Sequence, residues 1–408
     1  MAWTPASRDG SASAFDAPES HTATPAVAAD PQTLWRLALP GLLGLGVLAL
    51  TLGLSRPAQA QEFDFKGFGT LAVGQVLSGS RDTPLLGRYD CPCTIADYGH
   101  GGLYSKSWSA SPESKLGLQS TVKFGGQWSA TGQVVVRDVD GLKAGLEWAY
   151  LSYTPDSHWT LQAGRKRLPL FYYSDFQDVG YAYNWIRPPQ DVYGWEAINF
   201  NGLTAAYSTQ LGDWSLRGSA FAGREATKDN DAAKIYYEAR QDITWKRIVG
   251  ADLELANDWL TLRFNLIKNK VDQWDYSDGT RTQVTQGQSQ LIYGVAANID
   301  WEDWLLRSEY SIFDRSDFSY KANGVAVAVG RRIGKFTPML TFGRYRETNR
   351  WAPDTVQRDD TLSLSLRYEL GRATSLKLQW DRFKDKSGPA LDFVGHSKLL
   401  SLSLDTVF

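Results

Sequence analysis

Beyond residue 60 the chain alternates between apolar and polar positions. Leu400, Leu402, Leu404, Thr406 and Phe408 fall on one face of an extended segment, with Ser401, Ser403 and Asp405 on the other. Leu362, Leu364, Leu366 and Tyr368 likewise oppose Ser363, Ser365, Arg367 and Glu369, and Leu376, Leu378 and Trp380 oppose Lys377, Gln379 and Asp381. A period of two predicts strands with one apolar and one wet face. Tight polar turns such as Gly125-Gly126, Gly212-Asp213, Asn257-Asp258 and Gly371-Arg372 alternate with longer irregular stretches. The pattern predicts strands over 63–76, 114–124, 127–137, 144–153, 159–167, 201–210, 214–224, 246–256, 259–269, 289–299, 304–313, 321–332, 335–345, 359–370, 374–384 and 398–408. The total is sixteen, even as bacterial single-chain barrels require. The fold class expected is therefore all-β, a transmembrane antiparallel β-barrel of 16 strands with short periplasmic turns and long external loops.

Aromatic placement supports this reading. Trp128, Trp159, Trp214, Trp259 and Trp304 each follow a tight turn, as does Phe336. Trp and Tyr favour the headgroup level, so such a belt marks the periplasmic interface. Trp259 breaks the parity of its strand and is expected in the turn itself. A soluble β-sandwich with buried tryptophans is the alternative reading of the same residues.

With charged residues at 22%, the composition excludes a helical spanner but suits a barrel, which needs only one apolar face per strand. The long apolar run, Leu37 to Leu54, follows Arg36 and leads to Ala58-Gln59-Ala60. Residues 34–60 therefore read as an export signal processed after Ala60, with a membrane anchor as the alternative, and 1–33 as a disordered or mis-started extension. Residues 61–408 form the barrel, and its expected location is the outer membrane of a Gram-negative cell. The formal net charge of −2 gives no electrostatic case for nucleic acid. Cys91 and Cys93 flank Pro92 in a loop expected to be exposed in an oxidising compartment. A disulfide across one intervening residue, free or intermolecular thiols, and metal binding all stay open.

Parity assigns to the lumen Lys115, Gln119, Lys123, Gln133, Arg137, Glu147, Arg217, Asp252, Glu254, Arg263, Asn265, Arg307, Glu309, Arg332, Arg367 and Lys377. It leaves Arg165, Lys166, Arg344 and Arg346 unassigned. Charges of both signs facing inward are costly unless water surrounds them, so a wet pore is expected. The connection Leu168 to Glu196 carries nine aromatics, three prolines and the acids Asp175, Asp178, Asp191 and Glu196. Folding inward against the wall would shield that apolar area, making 168–196 the constriction loop. The loops over 77–112 and 225–245 are long and polar, as surface loops are.

The terminal Phe408, the Gly164-Arg165 step, Asp191-Val192-Tyr193-Gly194 and Phe200-Asn201-Gly202 together resemble the general diffusion porins of Gram-negative bacteria, the sixteen-stranded trimeric channels, over the whole mature region. The resemblance implies that the third external loop folds into the lumen and presents acids opposite a basic wall. Asp175, Asp178 and Asp191 match the loop acids, and Arg137, Lys115, Arg165 and Arg367 are candidates for the basic side. The aromatic, proline-rich segment Tyr181 to Pro189 departs from the family pattern. Passive diffusion of small hydrophilic solutes and ions follows, with no cofactor, no metal and no catalytic residue. The partners expected are outer-membrane lipid and lipopolysaccharide, with a homotrimer implied by the resemblance alone. A substrate-selective channel using the aromatics of 171–195, and an outer-membrane hydrolase using His100 or His396, are the competing classes.

Overall fold

The computed structural model describes residues 62–80, 90–139, 141–195, 197–231, 233, 240–277, 279–388 and 395–408. The expected leader and signal, and Glu196, lie outside these residues. Sixteen strands close one antiparallel barrel, each bonded to its sequence neighbour and the first to the last. They are β1 (Glu62–Gly79), β4 (Lys115–Lys123), β5 (Trp128–Arg137), β6 (Lys143–Tyr153), β7 (Trp159–Arg167), β8 (Asn199–Leu211), β9 (Trp214–Thr227) and β10 (Arg240–Ala256) in the first half. The second half comprises β11 (Leu260–Ser277), β12 (Thr280–Trp301), β13 (Trp304–Arg315), β14 (Tyr320–Arg331), β15 (Phe336–Asn349), β16 (Arg358–Glu369), β17 (Thr374–Asp385) and β18 (Ser397–Val407). A small hairpin, β2 (Thr94–Asp97) with β3 (Gly102–Tyr104), sits in the first long connection.

Closure falls where the terminal residue meets the first strand. The Phe408 N–H donates to the Gly67 carbonyl at 2.9 Å, and the Gly67 N–H to the Phe408 carbonyl at 2.6 Å. The Phe408 ring lies where a side chain at Gly67 would stand, 2.2 Å from an added Cβ, so closure requires glycine there.

The predicted faces hold. Leu203, Leu266, Leu340, Leu364 and Leu402 are exposed on the outer wall, whereas their polar sequence neighbours Ser363, Ser365, Ser401 and Ser403 are buried inward. An apolar exterior on a closed sheet leaves no unpaired ladder edge toward lipid, which is the condition for spanning a bilayer. At the short-turn end Trp128, Trp159, Trp259, Trp304 and Phe336 are all exposed. Rings pair between neighbouring strands at this end, Trp128 with Tyr153 at 4.6 Å and Phe336 with Tyr368 at 4.7 Å between centroids. Trp259 lies in the turn before β11, as its parity required.

Three features differ from the sequence reading. Strands β10, β11 and β12 extend well past the predicted limits, and 270–288, read as a connection, is mostly strand in the β11–β12 ladder. Its residues are polar on both faces, so no alternation betrays a sheet that stands in water. The first long connection is not an exposed loop either. The β2–β3 hairpin is largely buried, Ala96 and Tyr104 pack on Val76 and Leu399, and Cys91 and Cys93 form a buried disulfide. Finally, the free edge of β1 beyond β4 is covered by this connection, with the Val76 N–H donating to the Ser105 carbonyl at 2.8 Å.

Candidate functional site

The connection between β7 and β8 turns into the barrel and spans its interior. Pro169, Pro188 and Pro189 deny it ladder bonds, and it folds as short turns: 3-10 segments Ser174–Phe176 and Gly180–Ala182 and one helical turn, Gln190–Tyr193. Its aromatics are its ballast. Phe171, Tyr173, Tyr183, Trp185, Tyr193 and Trp195 are buried in one cluster with inward residues of the wall, including Phe200, Ile267, Ile292 and Phe313. Trp195 stacks on Phe313 at 3.4 Å between centroids.

Polar anchors finish the attachment. Lys377 on β17, 0% exposed, donates to the carbonyls of Gly180 (2.6 Å) and Trp185 (2.7 Å) and pairs with Asp405 at 3.1 Å. Arg367 on β16 donates to the carbonyls of Tyr181 (2.6 Å) and Tyr183 (2.9 Å). Within the loop Arg187 reaches outward, donating to Glu113 at 2.8 and 2.5 Å, to Asp381 at 2.5 Å and to the Ser401 hydroxyl at 2.7 Å. On the far side Glu309 of β13 accepts from the Tyr172 N–H (2.8 Å) and the Tyr193 hydroxyl (2.5 Å). The inward charges on this side are therefore dry and satisfied by the loop rather than by water, which corrects the expectation of a uniformly hydrated lumen.

Asp178 is the centre of the tightest charge cluster. It accepts from Arg137 at 2.6 Å and from Arg167, with Lys115 at 3.8 Å. Glu147 accepts from Arg137 at 2.7 Å and from the Asn199 amide at 2.7 Å. Burial alone would push the Asp178 carboxyl up, but Arg137, Arg167 and Lys115 hold it well below the usual carboxylate range. Asp178, Arg137 and Lys115 thus come together, in contact rather than opposed across a gap. Arg367 holds loop carbonyls about the other end. Arg165 lies apart, bonded to the Leu146 carbonyl at 2.9 Å and to Glu225 at 2.9 and 3.0 Å.

Asp191 has the opposite environment. It is wedged against two glycines of the wall: a Cβ on Gly343 would lie 2.2 Å from its carboxylate, and one on Gly324 2.2 Å from its carbonyl. The Thr361 hydroxyl donates to Oδ1 at 3.1 Å, while the buried Oδ2 has no hydrogen-bond partner among the described residues. Burial pushes its carboxyl up to about 7, and the nearby Asp360 and Asp381 charges push the same way.

Asp175 alone among the predicted loop acids faces water, its side chain 42% exposed. Arg263 on β11 lies 3.7 Å away and also 3.6 Å from Asp252. Across from it Lys166 on β7 bonds Gln162, and lies within electrostatic reach of Asp175, Arg217 and Asp252. Arg217 on β9 is exposed. Charges of both signs, Asp175, Lys166, Arg217, Asp252 and Arg263, thus gather where the loop faces the β7–β11 sector of the wall. Sequence reasoning missed Lys166 as a site residue because Gly164, with φ of 139°, breaks the parity of β7. It missed Arg187 because nothing in its sequence neighbourhood marks an arginine that folds back on the wall, and Arg167 because it stands at the end of that same strand.

In the first connection His100 Nδ1 lies 2.8 Å from the half-buried Asp97 carboxylate. Among the described residues no hydroxyl bonds its other nitrogen.

The architecture is that of outer-membrane porins and channels. The fold is similar to that of OmpTdeltaL8, a loop-deletion mutant of the Vibrio cholerae outer membrane protein OmpT (TM-score 0.56, 10% identity, 86% of this chain and 100% of that one). It is similar also to Salmonella typhi OmpF (TM-score 0.56, 9% identity, 85% and 97%) and to the outer membrane channel DcaP of Acinetobacter baumannii (TM-score 0.53, 13% identity, 86% and 99%). No family model and no curated protein sequence matches the chain.

Proposed function

We propose that this chain is an outer-membrane channel for passive diffusion of small hydrophilic solutes and ions, without enzymatic activity. One observation carries the reading: on one side of the inward loop, Asp175 and Arg217 keep solvent exposure inside a closed barrel, with Lys166 half-buried within electrostatic reach of both. Fixed charges of both signs around a narrow aqueous path bias which ions enter without any energy source. In this reading Asp178, Arg137, Lys115, Arg367 and Asp191 act one step back, fixing the loop that defines the passage. The fold likeness to solved porins and channels supports it, and the trimer form of one V. cholerae OmpT structure supports assembly of three copies.

The aromatic-loop alternative has less to work with, because most of those rings are spent against the wall. The test is selectivity in planar bilayers at low salt, where screening is weak. Asp175→Asn is expected to shift the reversal potential toward anions and Arg217→Gln toward cations. Unchanged potentials in both variants would remove these charges from the conduction path.

A further inference from the structure

The lumen wall carries two aromatics of its own, apart from those of the inward loop. The β5–β6 register skips Glu147, and this bulge changes the parity of β6: Trp148 stands opposite Gln133 and Tyr150 opposite Thr131. Gln133 and Thr131 are buried inward, so both rings face the lumen, 6.2 Å apart between centroids and tilted by 50°. Alternation counted from Glu147 alone sends them to lipid. Gly164 makes the room, because a Cβ there would meet the Tyr150 Cα at 2.7 Å and its Cβ at 3.0 Å. Both rings are half-buried and keep part of their surface open. Lys166 sits 5.4 Å over the Tyr150 ring, and Asp175 of the loop lies within electrostatic reach of the same ring. The two aromatics therefore stand on the side of the interior that the loop leaves open.

Beside the rings runs a strip of neutral polar groups. Gln133 donates to Gln119 at 3.1 Å, Thr121 and Thr131 share a hydrogen bond at 2.9 Å, and Gln162 donates to Ser152 at 3.2 Å. Each pair holds its members in place and keeps further donors and acceptors, because an amide or a hydroxyl has more than one. The charges nearby are already engaged: Arg263 lies between Asp175 and Asp252, and Lys166 bonds Gln162. A planar aromatic solute would cover the rings and leave the amides and hydroxyls unmet. An open-chain polyol would meet them and offer no flat face. A pyranose does both, since its C–H faces rest on the negative faces of aromatic rings while the hydroxyls at its rim donate and accept. Resting on the channel reading, we infer that Trp148 and Tyr150 form a stacking subsite on the lumen wall for the pyranose ring of a neutral saccharide, with the Gln119–Gln133, Thr121–Thr131 and Ser152–Gln162 pairs taking its hydroxyls.

The test uses the purified full chain, with ion current in planar bilayers and isothermal titration calorimetry in detergent as its two measurements. The probes are methyl β-glucopyranoside, the open-chain hexitol sorbitol, and benzoate. The glucoside should lower the current saturably and give a saturable heat, and sorbitol and benzoate should do neither. Tyr150→Leu and Trp148→Leu, which keep apolar bulk and lose the flat face, should each weaken the block on the order of tenfold, whereas Tyr150→Phe should keep it. Thr131→Val, which removes one hydroxyl and keeps the shape, should also weaken it and serves where a leucine variant does not fold. Equal block by sorbitol or benzoate, a block that rises without saturating, or wild-type block in a folded Tyr150→Leu or Thr131→Val barrel would each overturn the inference. Conductance before any sugar is added tests the channel separately, and the calorimetric binding is read whether or not the barrel conducts.

Discussion

Asp178 and Asp191 are the same residue type thirteen positions apart in one loop, and their surroundings drive them in opposite directions. Asp178 meets two guanidinium groups and an ammonium; Asp191 meets glycine backbone, one hydroxyl and other acids. The sequence could place acids on this loop and bases on the wall, because parity alone orients Arg137, Lys115 and Arg367. It could not say which acid would meet which base, since that depends on turns set by Pro169, Pro188 and Pro189. The Asp191 carboxyl, raised from 3.8 to about 7, gives a pH dependence with a definite sign. The docked loop binds the extra proton, so this contribution to docking is full below about pH 4 and is lost as pH rises through 7. Its size across that window is at most about 4 kcal/mol. Asp191→Asn should therefore flatten the pH dependence of proteolytic cleavage within 168–198 and protect the loop at pH 8. A variant as pH-sensitive as the wild type would place the titration elsewhere.

At the scale of elements, the loop's seat is cut from missing side chains. β14 presents Ala322, Gly324, Ala326 and Ala328 inward, and β15 presents Gly343, where other strands carry larger groups. Small inward residues were visible in the sequence, but nothing there connected them to the Gln190–Tyr193 turn. Gly343→Ala tests the fit, because its methyl would stand 2.2 Å from the Asp191 carboxylate. Pushing that turn off β15 toward the β7–β11 wall should lower single-channel conductance with the barrel intact; an unchanged conductance would show that the turn does not bound the passage. The strands themselves were legible where one face is apolar, as in β16 to β18. Where both faces meet water, as in the outer parts of β11 and β12, the sheet continues on backbone bonds alone and leaves no periodic trace.

For the whole molecule, strand count, closure and outward face followed from alternation, the tight turns and the terminal Phe408. The filling of the barrel did not. A lumen-facing Lys377 reads as wet in sequence and is dry in the fold, because the groups that satisfy it are main-chain carbonyls of Gly180 and Trp185. The same holds for the first connection, whose polar composition conceals a buried hairpin braced on β1. What remains open to water is one side of the interior, and the account of the protein turns on whether that side conducts. Single-channel recording of the purified chain in planar bilayers measures this directly. Stepwise, ohmic openings without any added ligand are predicted; a correctly folded barrel that inserts and stays electrically silent would contradict the account.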